Sequence, residues 1–202
     1  PALFAHGALV GARGNSGVIT SQIFAGIAAE FDAGLVAALC AARKKAWEAV
    51  VKPLPGTILT AISSAAEFAE RCEEKNKVDV ARAAWSGAHR AAIDSALNPP
   101  VPEAAGVIDA GAHALERILA ALVEVLDPAS APLEGIMFTP ASVTACEGEP
   151  DGEYEVMYLL ASSDADKVAK LRADLDALGS SVLVVGDAPT WNVHVHTDAA
   201  GA

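Results

Sequence analysis

Apolar side chains recur at three- and four-residue intervals through the first two thirds of the chain, which is the spacing of one helix face. Ile19, Ile23 and Ile27 show this spacing within a stretch that predicts a helix over 17–30. The same kind of pattern predicts further helices over 33–51, 57–74, 78–97 and 110–126. Because helix follows helix with no strand pattern between them, this part predicts an all-α domain.

The pattern changes after a run rich in proline and alanine at 127–132, which has the composition of a linker. Apolar runs then predict strands over 154–160, 181–185 and 191–196, and an amphipathic helix over 164–178. We predict a helical domain at 1–127, a linker at 128–134 and an α/β or α+β domain at 135–202. Since the chain stops just after the last strand, we expect the second domain to be truncated.

Composition supports this division and argues against some functions. Hydrophobic residues make up 52% of the 202 residues but aromatic ones only 5%, and the abundant alanine suits closely packed helices. Residues 1–133 carry 14 acidic and 11 basic side chains, whereas 134–202 carry 12 and 3. The net charge of −12 argues against nucleic-acid binding, which needs lysine and arginine against phosphate.

The chain shows no sign of export or membrane insertion. Its apolar runs are too short and too interrupted by charge for a membrane span, and no signal peptide is recognisable. Three scattered cysteines, at 40, 72 and 146, do not form a disulfide framework. We therefore expect a cytoplasmic protein.

The run GARGNSG at 11–17 stands immediately before the first predicted helix and has the chemistry of an anion site. Glycine permits a tight turn and a close approach of the backbone, and a helix N-terminus favours negative charge. Asn15 and Ser16 add side-chain donors, and Arg13 can pair with a phosphate. The run lacks the Gly-Lys-Ser/Thr ending of a P-loop. A plain turn between packed helices is the alternative interpretation.

Two other predicted helices begin in a similar way. Gly56 and Thr57 open one, and Asp109 and Gly111 open another. Thr57 and Asp109 can each serve merely as an N-cap. If the three helix starts converged at one end of a bundle, they would form a cradle for phosphate and ribose without any β-sheet.

Three motifs in this order resemble the nucleotide-binding L-type domain of dihydroxyacetone kinases, and more narrowly its version in bacterial fatty acid kinase. They are GARGNSGVI at 11–19, PGTILT at 55–60 and GVIDAG at 106–111. The segments VLVVGD at 182–187 and HVHTD at 194–198 resemble the middle domain of the same kinase. The resemblance covers about residues 4–127 and 150–202.

The resemblance implies an antiparallel helical barrel that holds ATP at one end. The phosphates would contact Gly14, Asn15, Ser16 and Gly17 of the glycine-rich turn. Gly56 and Thr57 would lie near phosphate and ribose, and Ile58 and Leu59 near the base. Asp109 and Gly111 would help to close the site.

The same resemblance implies a reaction and a partner. A fatty acid kinase transfers the γ-phosphoryl group of ATP to a fatty acid carboxylate that a separate fatty-acid-binding protein of the DegV type presents. The acyl phosphate product enters phospholipid synthesis, and a homodimer is expected. One departure matters: the family's Mg²⁺ ligands are aspartates of an Asp-Gly-Asp-Thr-Gly loop, which is absent from these 202 residues. We therefore expect this chain to be inactive by itself.

His194 and His196 are two residues apart on a predicted strand, so both project from one face. Such a pair can bind one metal ion, although it can also be an ordinary polar strand face. The resembled middle domain places Zn²⁺ on the matching histidines, with a cysteine after a tyrosine as third ligand. Here Glu155 follows Tyr154, and Cys146 is another candidate.

Two other functions remain open at this point. A domain that keeps the glycine-rich turn without the metal loop can act as a non-catalytic nucleotide sensor or partner-binding module. A component of a dihydroxyacetone-type kinase is the other alternative, although the attached domain with its paired histidines argues against it.

Overall fold

The computed structural model describes residues 1–73, 76–99, 106–129, 131–136 and 152–201. Within them the helices are α1 (Ala2–Gly11), α2 (Gly14–Ala29), α3 (Leu35–Ala49), α4 (Ile58–Arg71), α5 (Lys77–Leu97), α6 (Ala110–Leu126) and α7 (Ala165–Leu178). The strands are β1 (Tyr154–Ala161), β2 (Ser180–Asp187) and β3 (Thr190–Thr197). The predicted order, a helical domain followed by an α/β region, is confirmed. The boundaries at 127, 134 and 135 stay predictions.

Two parts of the helical prediction were wrong. Helix α2 begins at Gly14 rather than at 17, so residues 14–17 form its first turn instead of preceding it. Helix α1 was not predicted, because its apolar residues do not gather on one side: Ala5 and Leu9 are buried while Leu3 and Phe4 are exposed. Among the described residues, the other element ends differ from the prediction by three residues or fewer.

The helical core consists largely of alanine, and this lets helices pack closely. A β-carbon on Gly26 would lie 2.5 Å from backbone atoms of Ala42, so α2 and α3 nearly touch there. Gly87 of α5 stands in the same relation to the backbone of Ser64 in α4. Each helix packs mainly against its neighbours in sequence, as short connections between antiparallel helices require.

The sheet is antiparallel with the strand order β1-β3-β2, and α7 connects its two outer strands. Its two faces have different partners because side chains alternate along a strand. Val182, Val184, Val193 and Val195 pack with Val168 of α7 in one apolar cluster. Leu183 and Val185 point the other way and belong to the core of the helical domain.

The histidine-bearing face of the sheet is therefore an interface rather than an open surface. Asn192 donates from Nδ2 to the carbonyl oxygen of Leu9 in α1, at 3.0 Å. Val50, at the end of α3, forms an isolated antiparallel bridge with Leu183. His194 lies opposite both Met157 and Leu183 and is fully buried. The fold thus brings one face of the sheet against the beginning of the helical domain.

Candidate functional site

The three helix starts singled out by sequence converge. One cleft of about 660 Å³ is lined by the beginnings of α2, α4 and α6. Six of the site residues predicted from the sequence line this cleft, namely Asn15, Ser16, Thr57, Ile58, Leu59 and Asp109. Helices whose N-termini meet at one cleft direct their dipoles and terminal N–H groups toward it, which favours an anion.

The start of α2 carries no cap of its own. Its N-cap residue, Arg13, makes no side-chain capping hydrogen bond, and its first turn holds no acidic residue. Gly14 adopts a positive φ of 63°, and its N–H donates to Met157 Sδ in β1 at 3.3 Å. The amide oxygen of Asn15 is buried and accepts no hydrogen bond from any described residue. Of the three helix starts, this one is therefore left with N–H groups for an external acceptor, whereas the Asn15 oxygen can take an external donor.

The starts of α4 and α6 are closed by their own side chains. Thr57 Oγ1 accepts from the N–H of Leu59 at 3.3 Å and donates to the carbonyl oxygen of Leu54. Asp109 Oδ1 accepts from the N–H of Ala112 at 2.7 Å. Both residues are therefore N-caps that also border the cleft.

A glycine holds these two capped helices together. A β-carbon on Gly111 would lie 3.1 Å from Cβ of Ile58 and 3.2 Å from Asp109 Oδ1. Only glycine permits this approach of α6 to α4 without displacement of a neighbour. Gly56 serves α4 in another way: it has φ of 78°, and its N–H donates to Thr60 Oγ1.

The structure does not bring every predicted residue to this cleft. A neighbouring cleft of about 380 Å³ is lined by Arg13, Gly17 and Gly111. The two clefts share Ser16 as a lining residue. Gly14 and Gly56 line neither of the two. The guanidinium group of Arg13 turns back to α1, where it donates to the carbonyl oxygens of Val10 and Ala12. The expected contact between Arg13 and phosphate would require this side chain to move.

Glu155, His194 and His196 form a second constellation, on the sheet face that contacts the helical domain. Their ligand atoms all lie within 4.8 Å of one another, with His194 Nδ1 3.3 Å from Glu155 Oε1. The imidazole rings are 4.9 Å apart. Two imidazoles and one carboxylate are a donor set that Zn²⁺ accepts, and only small side-chain shifts separate these atoms from its ligand distances. The residues therefore fit the metal, whereas Cys146 lies outside the described residues.

Comparison with known proteins finds two family matches along the chain. Residues 2–124 match the DAK2 domain, and residues 151–202 match the FakA-like middle domain of fatty acid kinases. The first match covers more than half of the chain. The chain belongs to the DAK2 domain family. The resemblance inferred from the three motifs is thereby confirmed.

Curated relatives extend well beyond this chain. Protein YloV of Bacillus subtilis is 30% identical over 219 residues, a match that covers 96% of this chain and 39% of YloV. Protein SSP1546 of Staphylococcus saprophyticus, described as uncharacterized, is 27% identical over 98% of this chain and 40% of its own length. The chain thus spans about two fifths of the length of these relatives.

The cleft at the starts of α2, α4 and α6 is also lined by residues that the sequence prediction missed. Lys52 borders it and forms an ion pair of 2.7 Å with Asp176 of α7. Ser180 and Ser181, at the start of β2, line the same cleft from the sheet side. The sequence indicated Lys52 only through its position directly before the PLPGT run at 53–57. Nothing local indicated the serines, which reach the cleft only because the sheet packs on the helices.

No helix among the described residues of this DAK2 chain is long and apolar enough to cross a membrane.

Proposed function

We propose that the cleft at the starts of α2, α4 and α6 binds ATP, with the phosphates at the start of α2. The supporting observation is the convergence of three helix N-termini, of which only that of α2 lacks a side-chain cap. Membership of the DAK2 family supports nucleotide as the ligand. In this proposal Asn15 and Ser16 contact the phosphates from the cleft, and Gly17 contacts them from the neighbouring cleft. Gly14, which lines neither cleft, forms the turn before them, whereas Thr57 and Asp109 shape the cleft.

The remaining predicted residues have supporting roles in the proposal. Ile58 and Leu59 line the cleft, where they would offer the base an apolar wall. Gly56 and Gly111 set the positions of α4 and α6. Lys52, whose ammonium group pairs with Asp176, adds a cation on the side of the cleft that faces the sheet.

For the whole protein we propose phosphoryl transfer to a fatty acid carboxylate. A carboxylate oxygen attacks the γ-phosphorus, the bond to the β,γ-bridging oxygen breaks, and ADP and an acyl phosphate result. The match of residues 151–202 to the FakA-like middle domain of fatty acid kinases supports this acceptor. A fatty-acid-binding protein of the DegV type as partner, a homodimer and a cytoplasmic location belong to the same proposal.

The carboxylates at the cleft do not fit the Mg²⁺ that such a reaction needs. Asp109 is engaged as the cap of α6, and Asp176 is paired with Lys52. We therefore assign catalysis to a protein that also carries the family's Asp-Gly-Asp-Thr-Gly loop, and to this chain nucleotide binding alone.

We assign Zn²⁺ to Glu155, His194 and His196. An ion there would link β1 to β3, because Glu155 and the histidines belong to paired strands. Titration of the metal-free chain with Zn²⁺ tests this assignment. The site predicts one equivalent bound by wild type and a large loss in His196→Asn.

The reaction is tested by adding ATP, Mg²⁺ and a fatty-acid-loaded DegV-type protein to a longer protein that includes the aspartate loop. The proposal predicts acyl phosphate, detected as a hydroxamate after trapping, and no product from this chain alone. A parallel assay with dihydroxyacetone as the phosphoryl acceptor distinguishes a fatty acid kinase from the alternative, a dihydroxyacetone-type kinase. Phosphorylation of dihydroxyacetone but not of fatty acid would contradict the proposed acceptor.

A further inference from the structure

Glu155 belongs to the proposed metal site and also lies close to the glycine-rich start of α2. Its Oε1 atom lies 3.3 Å from His194 Nδ1 and 3.8 Å from the position of a β-carbon on Gly14. Met157, the next residue on the same face of β1, accepts a hydrogen bond from the N–H of Gly14. The carboxylate is about half exposed. One side chain therefore belongs both to the proposed metal site and to the surroundings of the proposed phosphate site.

This position gives Glu155 an electrostatic effect on α2. The first turn of α2 has no acidic residue of its own, so Glu155 brings a negative charge to it from another part of the chain. A helix N-terminus attracts a carboxylate for the same reason that it attracts a phosphate. Without a metal ion, Glu155 therefore opposes the entry of a polyphosphate by like-charge repulsion.

A divalent ion on the cluster reverses this effect. Glu155 with two neutral histidines carries a charge of about −1, and Zn²⁺ would change it to about +1. We propose that metal binding at Glu155, His194 and His196 tightens nucleotide binding at the start of α2, through the charge of Glu155. The inference rests on the proposed function of the cleft, and it makes the sheet a regulator of the helical domain.

The expected size of the coupling is modest because Glu155 is partly solvated. We expect metal to lower the Kd for ATP by roughly fivefold to tenfold, toward the lower end of measured couplings between sites. Linkage requires that ATP tighten the binding of metal by the same factor. This reciprocity gives a readout that does not depend on catalysis.

The experiment compares metal-free chain with chain loaded with one equivalent of Zn²⁺ and freed of excess metal, so that no Zn²⁺ is left to bind ATP. Calorimetric titration with ATP at constant Mg²⁺ gives the Kd of each form. Wild type is expected to bind ATP more tightly when loaded. Equal affinity of the two forms would overturn the inference while leaving the proposed nucleotide site intact; absence of ATP binding in both would overturn the proposed function as well.

Two variants separate charge from a merely structural effect of the metal. In Glu155→Gln the site is neutral, so metal-free protein is expected to bind ATP more tightly than metal-free wild type and less tightly than loaded wild type. In His196→Asn the charge remains but the metal site is lost, so ATP affinity is expected to stay at the weaker, metal-free value. If the metal acted only by a structural effect, metal-free Glu155→Gln would bind ATP no more tightly than metal-free wild type, and this result would overturn the inference.

Glu124→Gln is the matched control. Glu124 is an exposed glutamate near the C-terminal end of α6, about 20 Å along the helix from the residues that border the cleft. The substitution removes the same charge from the chain as Glu155→Gln. It is expected to leave the Kd for ATP unchanged, and a tightening equal to that of Glu155→Gln would show a general effect of net charge and overturn the inference.

Discussion

The starts of α2 and α6 meet at one cleft, yet they are built for different purposes. Asp109 caps α6 with a 2.7 Å hydrogen bond, which satisfies one terminal N–H group within the chain. Helix α2 begins at a glycine with φ of 63° and receives no side-chain cap. Both starts contain a glycine within two residues of a polar side chain, and the sequence offered an N-cap candidate for α6, namely Asp109. The difference teaches that the uncapped helix start is the one left for a ligand, while the capped one shapes the cleft.

The strongest way to break this arrangement is to separate α6 from α4. We expect Gly111→Val to lower the free energy of unfolding by about 2–3 kcal/mol, because its β-carbon would press on Ile58 and Asp109. Urea unfolding followed by circular dichroism measures the change. Gly7→Val is the control, since a β-carbon on Gly7 meets nothing within 4 Å. Equal losses in the two variants would show that helix propensity, and not this contact, sets the effect.

A smaller effect is expected from removing the cap of α6. Asp109→Ala should lower the free energy of unfolding by about 1 kcal/mol, because the N–H of Ala112 loses its acceptor. Asp109→Asn keeps an acceptor of the same shape and should retain most of the stability. Thermal unfolding of both variants, together with ATP titration, separates a cap from a ligand. If Asp109→Asn abolished ATP binding while the fold stayed intact, the carboxylate would be more than a cap.

The smallest effect is expected at α4. Thr57→Ala should cost about 0.5–1 kcal/mol of unfolding free energy, because the Thr57 hydroxyl accepts from Leu59 at the longer distance of 3.3 Å. Thr57→Ser keeps the hydroxyl and serves as the control in the same unfolding experiment. A larger loss at Thr57 than at Asp109 would reverse the proposed ranking of the two caps.

The sequence predicted much of the helical domain because helix signals are local. Periodic apolar residues and the caps Thr57 and Asp109 marked α4 and α6 to within a few residues. Helix α1 was not predicted, because it lacks an apolar stripe. The start of α2 was placed too late, since glycine and serine are weak helix formers whose helical state here depends on packing.

The arrangement of the site could be predicted only in part. Motifs named the three helix starts, but their convergence depends on contacts between distant segments. The histidine pair was predicted from alternation along one strand, whereas the approach of its neighbour Glu155 to Gly14 arises because the sheet packs on α1 and α2. Lys52 and Ser181 join the cleft for the same reason. No local pattern encodes such an interface.

The central claim is that phosphate binds at the uncapped start of α2, and Ser16→Asp tests it most directly. Ser16 is exposed in the first turn of α2, where an acidic residue stabilises a helix by about 0.3–1 kcal/mol. A carboxylate there also repels a polyphosphate. We predict unchanged or raised thermal stability together with at least about tenfold weaker ATP binding, and near wild-type affinity in the neutral control Ser16→Asn. ATP binding by Ser16→Asp with the affinity of wild type would contradict the account.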